Sequence, residues 1–153
     1  MDYLLNDMLT IADEKLLKMT ELLELTKDQT ELLEEENVEI LERFIGYRQS
    51  IMERIDTLDA RFKELRMRFL TAADVRNLEE IEANHTVRTI LELGAKTKDV
   101  LKAMIEIDNH NINMGKQLLE KLGSKLKYAG KASLARKEYQ RESSGAIFIN
   151  RQG

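Results

Sequence analysis

The chain has two histidines, His85 and His110, and each has a glutamate at helical spacing. Glu82 and His85 form a Glu-x-x-His pair, the i,i+3 arrangement that carboxylate-bridged di-iron bundles place on two of their four helices. Glu106 and His110 stand four apart instead. A di-iron centre needs two such pairs and two further glutamates from other helices, whereas both candidates here fall on or near one helix. One Glu-x-x-His is expected by chance in a chain so rich in Glu, so no metal site is assigned. The absence of cysteine excludes thiolate ligation, disulfides and thiol catalysis. The seven glycines all stand singly, so no phosphate-cradling loop is present, and no spacing suggests a Ser-His-Asp arrangement. The expectation is a protein without catalytic residues or cofactor.

A different polar cluster needs explaining. The stretch EIDNHNINMGKQLLEKL, residues 106–122, reads as helix, yet its first half carries Asp108, Asn109, His110, Asn111 and Asn113. Asparagine is a poor helix former because its amide competes for backbone hydrogen bonds.

The elements that position this cluster are long amphipathic helices. Leu5, Leu9, Ala12, Leu16, Met19, Leu23, Thr26, Thr30 and Leu33 recur at steps of three and four, the seam of a first helix. Met8, Leu22 and Leu25 widen that seam, which implies more than one neighbour. Glu34-Glu35-Glu36 marks a break, and Asn37 is placed to cap a second helix. Its seam runs Leu41, Ile45, Arg48, Met52, Ile55, Leu58, Phe62, Leu65, Phe69. Arg48 is the odd member: snorkelling to the rim is the preferred reading, pairing with a carboxylate of the first helix the other. Asp74 is placed to cap a short turn, and the polar stretch around Asn84 opens a third long helix. That helix carries Val87, Ile90, Leu91, Gly94, Leu101, Met104, Ile105, Asp108, Ile112, Leu119, Leu122 and Leu126, and Gly130 is its expected end. Residues 132–142 suggest a short, weakly apolar helix. Ser143-Ser144-Gly145 is a flexible break before AIFINRQG, a loose tail or docking strip.

The expected fold class is therefore all-α: three long antiparallel helices forming a thin bundle or coiled coil, with a short C-terminal helix and flexible tail. The bundle covers 1–130 and the extension 131–153. With the second helix ending near Phe69, the third is expected to outrun it and to leave an apolar stripe uncovered over about 101–130.

Composition agrees. The 153 residues are 42% apolar and 34% charged, with no Pro and no Trp, which suits helices and not sheets. The N-terminal residues have an acid at Asp2 and no basic segment, so no secretory signal is expected. No apolar run approaches the ~20 residues of a membrane span, and a cytoplasmic location without membrane insertion is the default. Charge is uneven: residues 1–40 hold twelve acids and three bases, a net of −9, and residues 121–153 hold eight bases and two acids, a net of +6. The basic end either lies against the acidic N-terminal arm or is solvated; it has no nucleic-acid motif, so no nucleic-acid partner is expected. Uncovered Leu/Met stripes suit a helix-in-groove partner or a homodimer seam.

These residues resemble the FlgN family of flagellar export chaperones over nearly the whole chain. LLEEENVEILERFIGYRQSIMERIDTLD is similar to the family's acidic turn and leucine-spaced helix with its Arg-Gln pair, here Arg48-Gln49. IDNHNINMGKQLLEKL resembles the family's Leu-Asn-x-x-Asn segment and following apolar stripe, with Asp108 standing where the first asparagine falls and Asn111 matching the second. KYAG is similar to a tyrosine shortly before the tail, and SSGAIFINRQG to the tail itself. FliT-type chaperones, with a similar helical hairpin, are the rival. The resemblance implies a cytoplasmic chaperone that binds C-terminal helical segments of the hook–filament junction subunits FlgK and FlgL, prevents premature assembly and delivers them to the export gate protein FlhA. It places client binding in the C-terminal half, with Asn111 and Ile112 opening a groove lined by Leu118, Leu119, Leu122 and Leu126. Gate docking falls to Tyr128, with Tyr139 in reserve. On this reading the asparagines bond a client helix and fix its register; otherwise they face solvent or set register within the bundle. The alternative function is a structural or scaffolding coiled-coil homodimer without a client.

Overall fold

The computed structural model describes residues 1–123. They form three long helices, α1 (Asp2–Glu34), α2 (Val38–Ala73) and α3 (His85–Gly123), with one 3₁₀ turn at Leu78–Ile81 before α3. No strand occurs among the described residues. The expected helix end at Gly130, the short helix at 132–142, the tail, Leu126, Tyr128 and Tyr139 all lie outside them.

The helix ends follow from local chemistry. Asn37 caps α2 as expected, its side-chain oxygen accepting from the Ile40 N–H at 3.3 Å. Asn84 does the same for α3, accepting from Val87 N–H at 3.1 Å. Asp74 differs from expectation: it closes α2 instead of opening a turn, in the left-handed region at φ 55°. Its N–H donates to the Thr71 carbonyl while the Val75 N–H donates to the Leu70 carbonyl. The end of α1 repeats this double closure, with Glu36 N–H on Leu33 and Asn37 N–H on Leu32, and Glu36 at φ 56°. The 3₁₀ turn is held by Glu80, whose carboxylate accepts from the Arg76 and Asn77 N–H groups at 2.6 and 2.9 Å.

Both α2 and α3 pack along α1, while the backbones of α2 and α3 approach each other less closely. The start of α1 meets the end of α2 and the start of α3: Leu4, Leu5 and Met8 pack with Leu65, Phe69, Leu70, Val87 and Ile90. A middle cluster joins Met19 and Leu22 to Ile51, Met52, Ile55, Leu101 and Met104. At the far end Leu33, Leu41, Ile45 and Leu118 pack together. The C-terminal half of α3 therefore lies beside the beginning of α2. The expectation that α3 outruns α2 here fails over the described residues, because the partner at this end is residue 41 and not residue 69.

The buried seam of α2 is the one its sequence spacing predicts, with Phe62 half-buried and the rest buried. The seams of α1 and α3 are displaced in part. In α1 the buried positions are Leu4, Leu5, Met8, Ala12, Met19, Leu22, Thr26, Gln29 and Leu33, with Leu9, Leu16, Leu23 and Thr30 half-buried beside them. In α3 the seam passes through Asn111, Gly115 and Leu118, and Ile112 and Leu119 flank it. A helix packed against two neighbours uses two adjacent rows, so an apolar residue need not occupy the most buried one.

Candidate functional site

Between the middle and far apolar clusters the core turns polar. Thr26, Gln29 and Thr30 of α1, Arg48 of α2, and Asp108 and Asn111 of α3 meet at one level of the bundle. Each occupies or borders a position of its helix seam, and burial follows from that position, not from residue type.

Arg48 is fully buried and Asp108 is 4% exposed. The guanidinium grips the carboxylate with two bonds: Nη1 donates to Oδ1 at 2.9 Å and Nη2 to Oδ2 at 3.1 Å. Nη1 also donates to Gln29 Oε1 at 2.6 Å. The snorkelling reading of Arg48 is thus overturned, and its carboxylate partner comes from α3, not α1. The wider spacing of α2 and α3 explains the residue: a long side chain spans it, and a planar fork matches a carboxylate with two parallel bonds. Desolvating the two charges is costly, and the two-bond pairing offsets it, while Gln29 Nε2 is buried without a hydrogen-bond partner.

Asn111 explains part of the polar stretch. Its Nδ2 donates to the Thr26 carbonyl at 2.9 Å, and its Oδ1 accepts from Thr30 Oγ1 at 2.7 Å. One amide thus holds two points a turn apart on α1. Sliding α3 by one residue, about 1.5 Å of rise plus a 100° rotation, would break both bonds. Asp108 and Asn111 face inward, whereas Asn109, His110 and Asn113 are exposed. Asn111 therefore bonds α1 and faces no open groove. Of the other residues assigned to client binding, Leu118 is buried in the far cluster, Ile112 and Leu122 are half-buried against it, and Leu119 is half-buried.

A second polar contact flanks the core beside the buried Ala12 and Leu58, at a level between the first two apolar clusters. Lys15 Nζ of α1 meets Asp59 Oδ1 of α2 at 2.6 Å, with side chains 18% and 10% exposed. Neighbouring Asp56 has its carboxyl pushed up, first by burial and then by Asp59 and Glu53, with Lys15 opposing. Toward solvent, Arg54 grips Glu14 with two bonds of 2.9 Å. That hydrogen bonding holds the Glu14 carboxyl low, against some burial. Tyr47 donates its hydroxyl to Glu21 at 3.0 Å, which raises the phenol.

His85 and His110 are exposed, and among the described residues no three His, Asp or Glu side chains converge as metal ligands. No described helix is long and apolar enough to cross a membrane. A shallow surface groove lies at the opposite end of the bundle from the polar layer, lined by Tyr3, Leu4, Met67, Arg68, Thr71 and Ala72.

Sequence reasoning missed Gln29, the pairing of Arg48 with Asp108, and Lys15–Asp59. The available signal was spacing: Thr26, Gln29 and Leu33 keep the seam interval, as do Met104, Asp108 and Asn111.

Over the described residues, fold and site together define the class: an all-helical three-helix bundle clamped internally by a polar layer. Compared with family models, curated proteins and solved structures, the chain matches none.

Proposed function

We propose that this chain is a flagellar export chaperone of the FlgN type. It works in the cytoplasm, binds C-terminal helical segments of FlgK and FlgL, prevents their premature assembly and delivers them to FlhA. It performs no catalysis and uses no cofactor. The reading takes the bundle as antiparallel and coiled-coil-like, and rests on the sequence resemblance. The structural observation that supports it best is the far end of α3, where Ile112, Met114 and Leu122 are only half-buried against the cluster of Leu118, and Leu119 is half-buried. A partly covered Leu/Met stripe suits an amphipathic client helix, and methionine repacks around different shapes.

The test is isothermal titration of the full chain with purified FlgK and FlgL, beside a Leu119→Glu/Leu122→Glu variant. The expected result is a defined complex with at least one subunit, weakened about tenfold or more when two half-buried anchors are lost. No binding to either subunit would end the reading.

The alternative is a scaffolding homodimer. The observation that favours it is apolar exposure elsewhere: Leu17 is 71%, Tyr3 60% and Met67 58% exposed. A self-paired dimer in sedimentation with no affinity for FlgK or FlgL would select it.

A further inference from the structure

We infer that the bundle consists of two units of unequal stability, joined at the polar layer, and that the far unit opens on its own while the rest stays folded. The inference stands apart from the chaperone reading.

Three observations carry it. First, the buried apolar core is not continuous. Middle and far clusters share no buried apolar residue, and the level between them is occupied by Thr26, Gln29, Arg48, Asp108 and Asn111. Second, the far cluster is small. Among the described residues it holds Leu33, Leu41, Ile45 and Leu118, against nine buried residues in the cluster at the opposite end. Third, the turn joining α1 and α2 belongs to this far unit and holds Glu36 in the left-handed region at φ 56°, whereas the residue in that region at the opposite end, at φ 55°, is Asp74, a type that tolerates it better. A non-glycine side chain there is strained, and opening releases it.

The physics of the layer sets the boundary. Apolar contacts couple neighbouring levels of a bundle because a void at one level strips contacts from the next. Arg48 holds Asp108 with two bonds and Gln29 Oε1 with a third, so these residues stay joined when the far cluster parts, and Gln29 Nε2, buried without a hydrogen-bond partner, then gains water. When the far unit opens, water reaches the layer from that side, and the cost of holding two desolvated charges is relieved. Regions with few buried apolar contacts supply the low-stability openings of native proteins. The opened unit presents the inward faces of Leu33, Leu41, Ile45 and Leu118.

Native-state hydrogen exchange of the full chain in low urea tests this. Backbone amides at 31–34, 41–46 and 112–119 are expected to share one opening rate, at least ~10-fold faster than amides at 19–22, 51–55 and 101–104. That opening should be accelerated by urea, because it exposes buried surface. Amides at 65–70 and 87–91, at the opposite end of the bundle, are the control and should stay with the slow set. A smooth gradient from the helix ends, or fast exchange insensitive to urea, would be fraying and would overturn the inference. So would one common rate throughout. Arg48→Leu/Asp108→Leu, which joins the two apolar clusters, should bring the fast set close to the slow one. A folded double variant that keeps the original step places the boundary elsewhere and also overturns it. The wild-type pattern decides by itself if that variant does not fold.

Discussion

Arg48 and Asp108 stand 60 residues apart in sequence and meet as a buried two-bond pair, 2.9 and 3.1 Å, that ties α2 to α3 across the space flanking α1. Removing Asp108 leaves the buried Arg48 charge without its carboxylate. Asp108→Ala should therefore destabilise the chain by about 3–5 kcal/mol. Arg48→Leu/Asp108→Leu should cost clearly less than Asp108→Ala, since it removes both charges together and its remaining penalty is the neutral Gln29 amide, which loses the bond from Arg48. Urea unfolding of the single and double variants checks both. A double variant as unstable as Asp108→Ala would show that the pair contributes net stability here.

Asn111 is the register device in this structure. Asn111→Leu should hold the unfolding midpoint within a few degrees, because an apolar residue in a core seam replaces two modest hydrogen bonds worth about 1 kcal/mol each. It should broaden the choice of partners, seen as concentration-dependent self-association in sedimentation, as loss of a buried polar residue does in coiled coils. An unchanged oligomeric state would remove the register role.

Glu36 closes α1 in the left-handed region, a position glycine occupies without a Cβ clash. Glu36→Gly should stabilise the chain by roughly 0.5–1 kcal/mol net of the greater unfolded-state freedom of glycine. The variant also loses an exposed contact to Lys121 at 2.6 Å, an interaction of small worth. Glu36→Ala removes the same contact but keeps the Cβ, so the difference between the two variants in thermal melting isolates the backbone effect. No difference between them would remove it.

Two carboxylates give opposite pH signs. Asp56 has its folded pKa raised, by burial first and by Asp59 and Glu53 next. Its ionised form therefore opposes folding above its folded pKa, and this cost disappears as pH falls below the unfolded value near 4. Asp56→Asn should stabilise the chain at pH 7, with the gain vanishing at lower pH. Glu14 has its folded pKa lowered by the Arg54 hydrogen bond. Its contribution is present above the unfolded value and fades as pH falls through the folded one, so Glu14→Gln should be unfavourable at pH 7 and lose its effect in acid. Denaturation profiles of the two variants against pH should diverge in these directions; parallel profiles would contradict the assignment.

What the sequence determined by itself was the helical content and its punctuation. The apolar period placed three long helices, Asn37 gave the start of α2 to the residue, and the seam Leu41, Ile45, Arg48, Met52, Ile55, Leu58 was legible because α2 presents one clear row. These are local properties, set by rise per turn and by capping chemistry.

The tertiary structure alone decided which polar residues face inward. Apolar spacing selected Leu9, Leu23 and Thr30 over Met8, Leu22 and Gln29, and Ile112 over Asn111, because both rows of a helix with two neighbours carry apolar side chains. Asp108 and Asn109 are adjacent in sequence, yet one is buried and the other exposed. Their difference is a rotation of 100° about α3. Its meaning depends on Arg48, Gln29, Thr26 and Thr30, which stand 60 to 85 residues away along the chain, or on α1, and reach that level only when the helices pack. A buried charge is stable only beside its partner, and no local signal in the sequence records where that partner will be.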